Sequence, residues 1–238
     1  MLIPTPVAQL QSPPLDVSQG CEHPNEDCEL LVLYADSIER INWKTNNKRR
    51  ISFPQEYFAQ LRSRAPSGKI LNVDGNYIID QNNLTEPLQY DLKLDQFTPL
   101  NLPPQIPRAT PGLNIFSLMN GHFYDFEILN PKGLAVIQED QRLSIGAGTL
   151  ITSDELVGGS LAVLGATIYT SSNSLPGQPD SLLKFAYNNL SLMLQSNTQM
   201  DGEILDLAAT DLNQDNAPEL LITIRSIDGI FIRVVENP

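Results

Sequence analysis

Histidine, tryptophan and cysteine are nearly missing from this chain, which holds two, one and two of them in 238 residues. With only His23 and His122 to draw on, a multi-histidine metal centre or a Ser-His-Asp relay has almost no raw material. His122 lies between Gly121 and the aromatic pair Phe123 and Tyr124, a setting that suits a packed edge residue better than a general base. No Gly-x-Ser-x-Gly elbow, no His-Glu-x-x-His helix and no phosphate loop occurs. Apolar runs are short. None approaches the ~18 to 20 residues that a membrane helix needs, so no membrane span is expected. Positive charge is scarce too: fifteen Lys and Arg face twenty-eight Asp and Glu, for a net charge of −13 and a pI near 4.4. That balance argues against nucleic acid as a partner and makes the surface attractive to cations.

What is plentiful is turn chemistry. Eighteen Pro and fourteen Gly suit a chain of many short strands rather than long helices. From Glu29 onward an apolar strand, a polar turn and a second strand recur. Examples are Glu29 to Leu33 leading to Ile38 and Ile41, Gly68 to Val73 leading to Tyr77 to Ile79, and Gly112 to Phe116 leading to His122 to Tyr124. Later copies are Ser181 to Phe185 and Glu219 to Ile224, and the hairpin turns between strands carry Asp74-Gly75, Asn120-Gly121, Asn188-Asn189 and Asp228-Gly229. The starts at Leu30, Ile70, Leu113, Leu182 and Leu220 are separated by 40, 43, 69 and 38 residues. Spacings of about 40 residues are those of propeller blades. The long interval has room for a further blade, whose strands Gly133 to Ile137 and Ser160 to Leu164 can supply. The reading is an all-β, β-propeller-like domain of about five small blades over residues 28–238; a two-layer β-sandwich of about ten short strands fits the same alternation.

Residues 1–27 read as a Pro/Gln-rich N-terminal tail, in which Pro6-Val7-Ala8-Gln9 resembles the end of a secretory signal. Two stretches interrupt the strand pattern. Pro54 to Arg62 has the signals of a short helix, and the five prolines between Thr98 and Gly112 suggest an extended connector. Cys21 and Cys28 flank six residues that can close into a small loop, so a disulfide is expected and with it an oxidising compartment, periplasmic or extracellular. A metal site of Cys21, Cys28 and His23 is the alternative, though it lacks a fourth strong ligand and the usual cysteine spacing.

The most informative stretch is Asp211-Leu212-Asn213-Gln214-Asp215-Asn216-Ala217-Pro218-Glu219. A tightly curled loop aims every second side chain inward, and Ca2+ takes six to eight oxygens at about 2.3 to 2.6 Å. Asp211, Asn213 and Asp215 supply oxygens at alternate positions, Ala217 offers its backbone carbonyl, and Glu219 closes the set. The sixth position normally needs Gly for positive φ; Asn216 is one of the few other residues that tolerate it. A solvated acidic turn between strands uses the same residue types. Asp211 to Leu221 resembles the FG-GAP and VCBS-type repeats, whose hallmark is a D-x-N-x-D-G-x-x-[DE]-L loop entering a blade strand, with Asn216 in place of Gly. The resemblance implies a propeller whose loops are held by Ca2+, in proteins that bind or scaffold rather than catalyse.

Eight of the fifteen cations fall between Arg40 and Lys69, where Glu56 is the only acid. With Trp43 among them, Lys44, Lys48, Arg49, Arg50 and Arg62 form a candidate docking surface for a protein or an anionic glycan; a solvated hairpin tip is the plainer reading of Lys44 to Arg50. Two functions follow. One is a secreted, calcium-stabilised binding or scaffold module without catalysis. The other is a carbohydrate-active enzyme using paired carboxylates, for which Asp125 with Glu127, Glu139 with Asp140, or Asp154 with Glu155 are the candidates.

Overall fold

In a computed structural model the chain is all-β, and the residues described are 5–22, 28–59, 66–73, 75–100, 123–129, 133–138, 140–146, 151–188 and 191–235. Strand β1 (Thr5–Leu10) is followed by β2 (Asp16–Gly20), β3 (Glu29–Leu33), β4 (Ser37–Ile41) and β5 (Lys48–Ser52), then β6 (Gly68–Val73), β7 (Asn76–Gln81), β8 (Leu88–Asp91) and β9 (Gln96–Pro99). The rest are β10 (Phe123–Leu129), β11 (Gly133–Gln138), β12 (Arg142–Gly146), β13 (Ile151–Leu164), β14 (Thr167–Ser172), β15 (Ser181–Asn188), β16 (Ser191–Gln199), β17 (Glu203–Thr210), β18 (Glu219–Ser226) and β19 (Gly229–Val235). All pairings between these strands are antiparallel. That is the pattern tight hairpin turns impose on alternating sequences.

The chain divides by its contacts into two compact units. One unit, Pro14–Gly121 with Asp211–Asn216, holds the sheets β2-β3-β4-β5 and β6-β7-β8-β9. Its core gathers Leu31, Leu33, Ile38, Phe53, Ile79, Leu88 and Tyr90, with the Phe97 ring stacked on Tyr90 and edge-on to Phe53. The other unit, Met1–Pro13, His122–Thr210 and Ala217–Pro238, holds β10 to β16 in one seven-stranded sheet and β1-β19-β18-β17 in another. Tyr169, Leu207, Leu220, Ile222 and Ile224 pack in one of its cores, and Ile137, Leu143, Leu161, Ile168 and Phe185 in a second.

Among the described residues four sheets stand where five blades were expected. The reason is the length of β13, whose first half pairs with β12 (Ser144↔Thr152, Ile145↔Ile151) and whose second half pairs with β14 (Leu161↔Thr170, Ala162↔Tyr169). A single continuous strand thus joins what periodicity alone divides into two. The N-terminal tail is also corrected: residues 5–10 and 16–20 are strands, with Leu10, Asp16 and Val17 buried. Low charge and high Pro and Gln content misled here, because β1 finds its partner more than 200 residues away, at β19. The helix expected over Pro54 to Arg62 is a single 3-10 turn, Gln55–Tyr57, after which Phe58 is extended and bridges to Leu84. The expected strand Gly112 to Phe116, His23, His122 and Arg62 lie outside the described residues.

Candidate metal centre

The segment between β17 and β18 closes on itself through Asp211. Its Oδ1 accepts the Asp215 N–H at 3.0 Å and its Oδ2 accepts the Asn216 N–H at 2.9 Å. Asn213 bonds the same neighbour twice: its Oδ1 accepts the Asp215 N–H and its Nδ2 donates to Asp215 Oδ2. These bonds curl the backbone through two left-handed positions, Gln214 at φ 56° and Asn216 at φ 66°. Asn216 therefore adopts the conformation for which such loops use Gly.

The curl brings Asp211, Asp215 and Glu219 together, with carboxylate oxygens all within 4.8 Å of one another. Ligands at about 2.3 to 2.6 Å on opposite sides of one ion lie at most about 5 Å apart, so the three fit a single coordination sphere. Of the expected set, Asn213 orients Asp215 through side-chain and backbone bonds, and Ala217 is exposed. Glu219, at the head of β18, is only 5% exposed. Like charges at this distance repel, less where solvent screens them. A bound cation removes that cost.

The disulfide is formed between Cys21 and Cys28. It and its flanks hold the 211–216 segment: the Cys28 N–H donates to the Leu212 carbonyl at 3.1 Å, Gln214 Nε2 to Cys28 Sγ at 3.2 Å, and the Asp211 N–H to Gln19 Oε1 at 3.0 Å. Sequence reasoning missed these anchors, since the two cysteines and the loop are about 190 positions apart.

Within the expected docking surface Arg49 and Arg50 are each paired with a carboxylate. Arg40, with only 11% of its side chain exposed, binds Glu22, Glu29 and Asp95, and also donates to the Leu92 carbonyl. Arg49 pairs with Asp95 as well. Arg50 stacks over Tyr34 and pairs with Asp36, and the Lys44 ammonium sits over the Trp43 ring. The local excess of cations is met by carboxylates supplied from other parts of the fold.

The carboxylates nominated for glycosidase chemistry differ in burial, with Glu127 half-buried on β10. Asp125 is buried, and its Oδ2 accepts the Leu161 N–H at 2.8 Å. Asp140, Asp154 and Glu155 are exposed, and Glu139 lies outside the described residues. In the β2–β9 unit, a cleft of about 340 Å³ is lined by two acids. Of these, Glu22 is held by Arg40 and Asp91 caps the Lys93 and Leu94 N–H groups.

Asp125 instead belongs to a repeated structural device. Asp16 Oδ2 accepts the Ile70 N–H at 2.7 Å and Asp180 Oδ2 the Ile204 N–H at 2.8 Å, so three buried aspartates each fasten a backbone N–H far away in sequence. A charged acceptor makes such bonds stronger than neutral ones. The residues flanking these three aspartates share no common pattern, so the sequence carries no signal for the device.

Asp80 is different. Its buried Oδ2 has no hydrogen-bond partner, and desolvation pushes its carboxyl up to about 6. A raised carboxyl favours the folded state while protonated, so this contribution is present at low pH and lost as pH rises from about 4 through about 6. Asp80→Asn is expected to raise stability at pH 7 by about 1 to 2 kcal/mol, after discounting for partial exposure, and to leave it unchanged at pH 4. Urea unfolding at the two pH values checks both. Asn83-Leu84-Thr85 fits the N-glycosylation pattern, but Asn83 is buried and its Nδ2, the atom that glycosylation modifies, donates to the Ala35 carbonyl at 2.7 Å.

No family model matches this sequence, and no curated protein matches it. Among solved structures, one similar to the chain is regucalcin, a calcium-binding protein from Agrobacterium tumefaciens strain C58. It shares 11% identity at a TM-score of 0.43, over 99% of this chain and 81% of that one. A likeness of that strength carries no argument about what this chain binds.

Proposed function

We propose that this protein is an exported, calcium-stabilised binding or scaffold module built from propeller-like repeats of the FG-GAP type, without catalysis of its own. The observation that carries the reading is the convergence of Asp211, Asp215 and the buried Glu219. Ca2+ suits this set better than Zn2+ or a soft metal, because every side-chain donor is an oxygen and, among the described residues, no histidine or cysteine thiolate joins them. Asn213 supports the set from within the loop, and the Ala217 carbonyl is the natural further ligand. The ion's chemistry here is cohesion: it neutralises three carboxylates at the entrance to β18. The disulfide supports export, and no helix among the described residues is long and apolar enough to cross a membrane. A protein or an anionic glycan remains the partner class, with Trp43, Lys44 and Lys48 the residues of the basic stretch that lie nearest its hairpin tip.

Calorimetric titration and thermal unfolding test the reading. A ligand that binds only the folded state stabilises it by about 2.7 kcal/mol at a hundredfold excess over Kd. Ca2+ is expected to raise the midpoint, EDTA to reverse the rise, and Asp215→Ala to abolish it. A midpoint that ignores both Ca2+ and EDTA in the native chain reduces the loop to a polar turn.

A further inference from the structure

The carboxylate loop is held by anchors outside it as well as by its own bonds. Two of its residues, Gln214 and Asn216, sit at positive φ, which costs a non-glycine residue about 1 kcal/mol or more. Gln214 is the dearer of the two, because its longer side chain cannot support its own backbone as Asn does. That side chain reaches instead to Cys28 Sγ. The Cys28 N–H holds Leu212, which is 2% exposed, and Gln19 holds the Asp211 N–H. Cys28 is itself 1% exposed, and the Cys21 N–H is fixed by the Tyr77 hydroxyl at 2.8 Å. The bridge and the segment carrying Asp211, Asn213 and Asp215 are thus packed as one body within one unit.

We propose that the Cys21–Cys28 disulfide is a redox control on this loop: oxidised, it seats the 211–216 segment in its ligand-ready curl, and reduced, it releases the segment and weakens cation binding. The cation half of this statement rests on the calcium reading above. The reductant is a dithiol. One of its thiolates attacks a sulfur of the bridge, of which Cys21 is the less buried half, and expels the other cysteine as thiolate. The reagent's second thiol then closes the reagent's own disulfide and frees the remaining cysteine. Two electrons and two protons pass to the protein, leaving two thiols. The coupling is reciprocal: the factor by which oxidation tightens cation binding is the factor by which the cation favours the disulfide.

The test combines amide exchange across residues 211–216 with Ca2+ titration, on the oxidised chain, the chain reduced with dithiothreitol, the Cys21→Ser/Cys28→Ser double variant, and Gln214→Ala with its disulfide intact. Expected are exchange faster by on the order of tenfold and Ca2+ affinity weaker by on the order of tenfold on reduction and in the double variant. Gln214→Ala is expected to weaken affinity roughly fivefold, at the low end of such couplings, and saturating Ca2+ to slow reduction of the native bridge. Equal exchange and equal affinity in oxidised and reduced chains overturn the inference. Should reduction loosen the whole fold, read from exchange in β15, Gln214→Ala decides, and unchanged exchange and affinity there overturn it. Failure of the calcium reading is told apart, because the exchange difference is measured with no cation present. An oxidised chain that never binds Ca2+ overturns the cation half alone.

Discussion

A chain shortened to begin at Pro14 is expected to lose several kcal/mol of stability, a large fraction of what a folded domain has to spare. The deletion removes β1, whose Thr5, Pro6, Ala8, Gln9 and Leu10 face Val234, Arg233, Ile232, Phe231 and Ile230. Leu10 and Ala8 are about 95% buried, and their apolar burial is worth roughly 2 to 3 kcal/mol. Ladder bonds contribute about 1 kcal/mol each, offset by the cost of ordering six residues. The larger consequence is the uncovered edge of β19, since an unpaired edge invites association with other chains. Urea unfolding followed at two protein concentrations checks this. The midpoint should fall, the shortened chain should associate at higher concentration, and a synthetic peptide of residues 1–13 should reverse both. A midpoint unchanged by the deletion would return the segment to the status of a tail.

Replacing Arg40 by Met is expected to cost about 3 to 5 kcal/mol, the usual result of removing one partner from a buried ion pair. Methionine fills much of the same volume, so the loss reports charge and hydrogen bonds rather than a cavity. It strips Asp95 of its 2.8 Å contact, takes a cation from Glu22 and Glu29, and leaves the Leu92 carbonyl without that donor. The pH dependence separates this from simple misfolding. Burial alone would raise the Asp95 carboxyl, but hydrogen bonds from the Tyr90 hydroxyl and Arg40, with the charges of Arg40 and Arg49, outweigh it and hold the group below its ordinary value. A depressed carboxyl contributes stability that is complete above the unfolded value near 4 and is lost as pH falls through the folded value. The native chain should therefore lose stability below about pH 4, and Arg40→Met should lose less over the same interval. Parallel acid limbs in the two chains would show that Arg40 does not set the Asp95 carboxyl.

The two substitutions that act on carboxylates pull in opposite directions. Asp95 is surrounded by donors and cations and strengthens the fold when ionised. Asp80, whose Oδ2 finds no donor, weakens it. Both are aspartates in or beside short strands of the same sheet, and nothing in their flanking residues separates them. The difference is entirely one of surroundings.

The sequence by itself determined what depends on neighbours along the chain. Short apolar runs bounded by turn residues placed β3 and β6 at their boundaries, because a run of that length and composition reads as a strand whatever it later pairs with. The curl from Asp211 to Glu219 is local in the same way: its alternating oxygen-bearing side chains, its left-handed Asn216 and its closing bonds lie within nine residues. The nearness of Cys21 to Cys28 likewise made their bridge readable. The tertiary structure alone decided what depends on partners far away. It turned the leading tail into a strand on β19, joined two repeats through β13, set carboxylates from Glu22, Glu29 and Asp95 around Arg40, and seated the carboxylate loop on Cys28. A charge or an edge is satisfied by whatever the fold brings within a few ångströms, and the order of residues does not carry that distance.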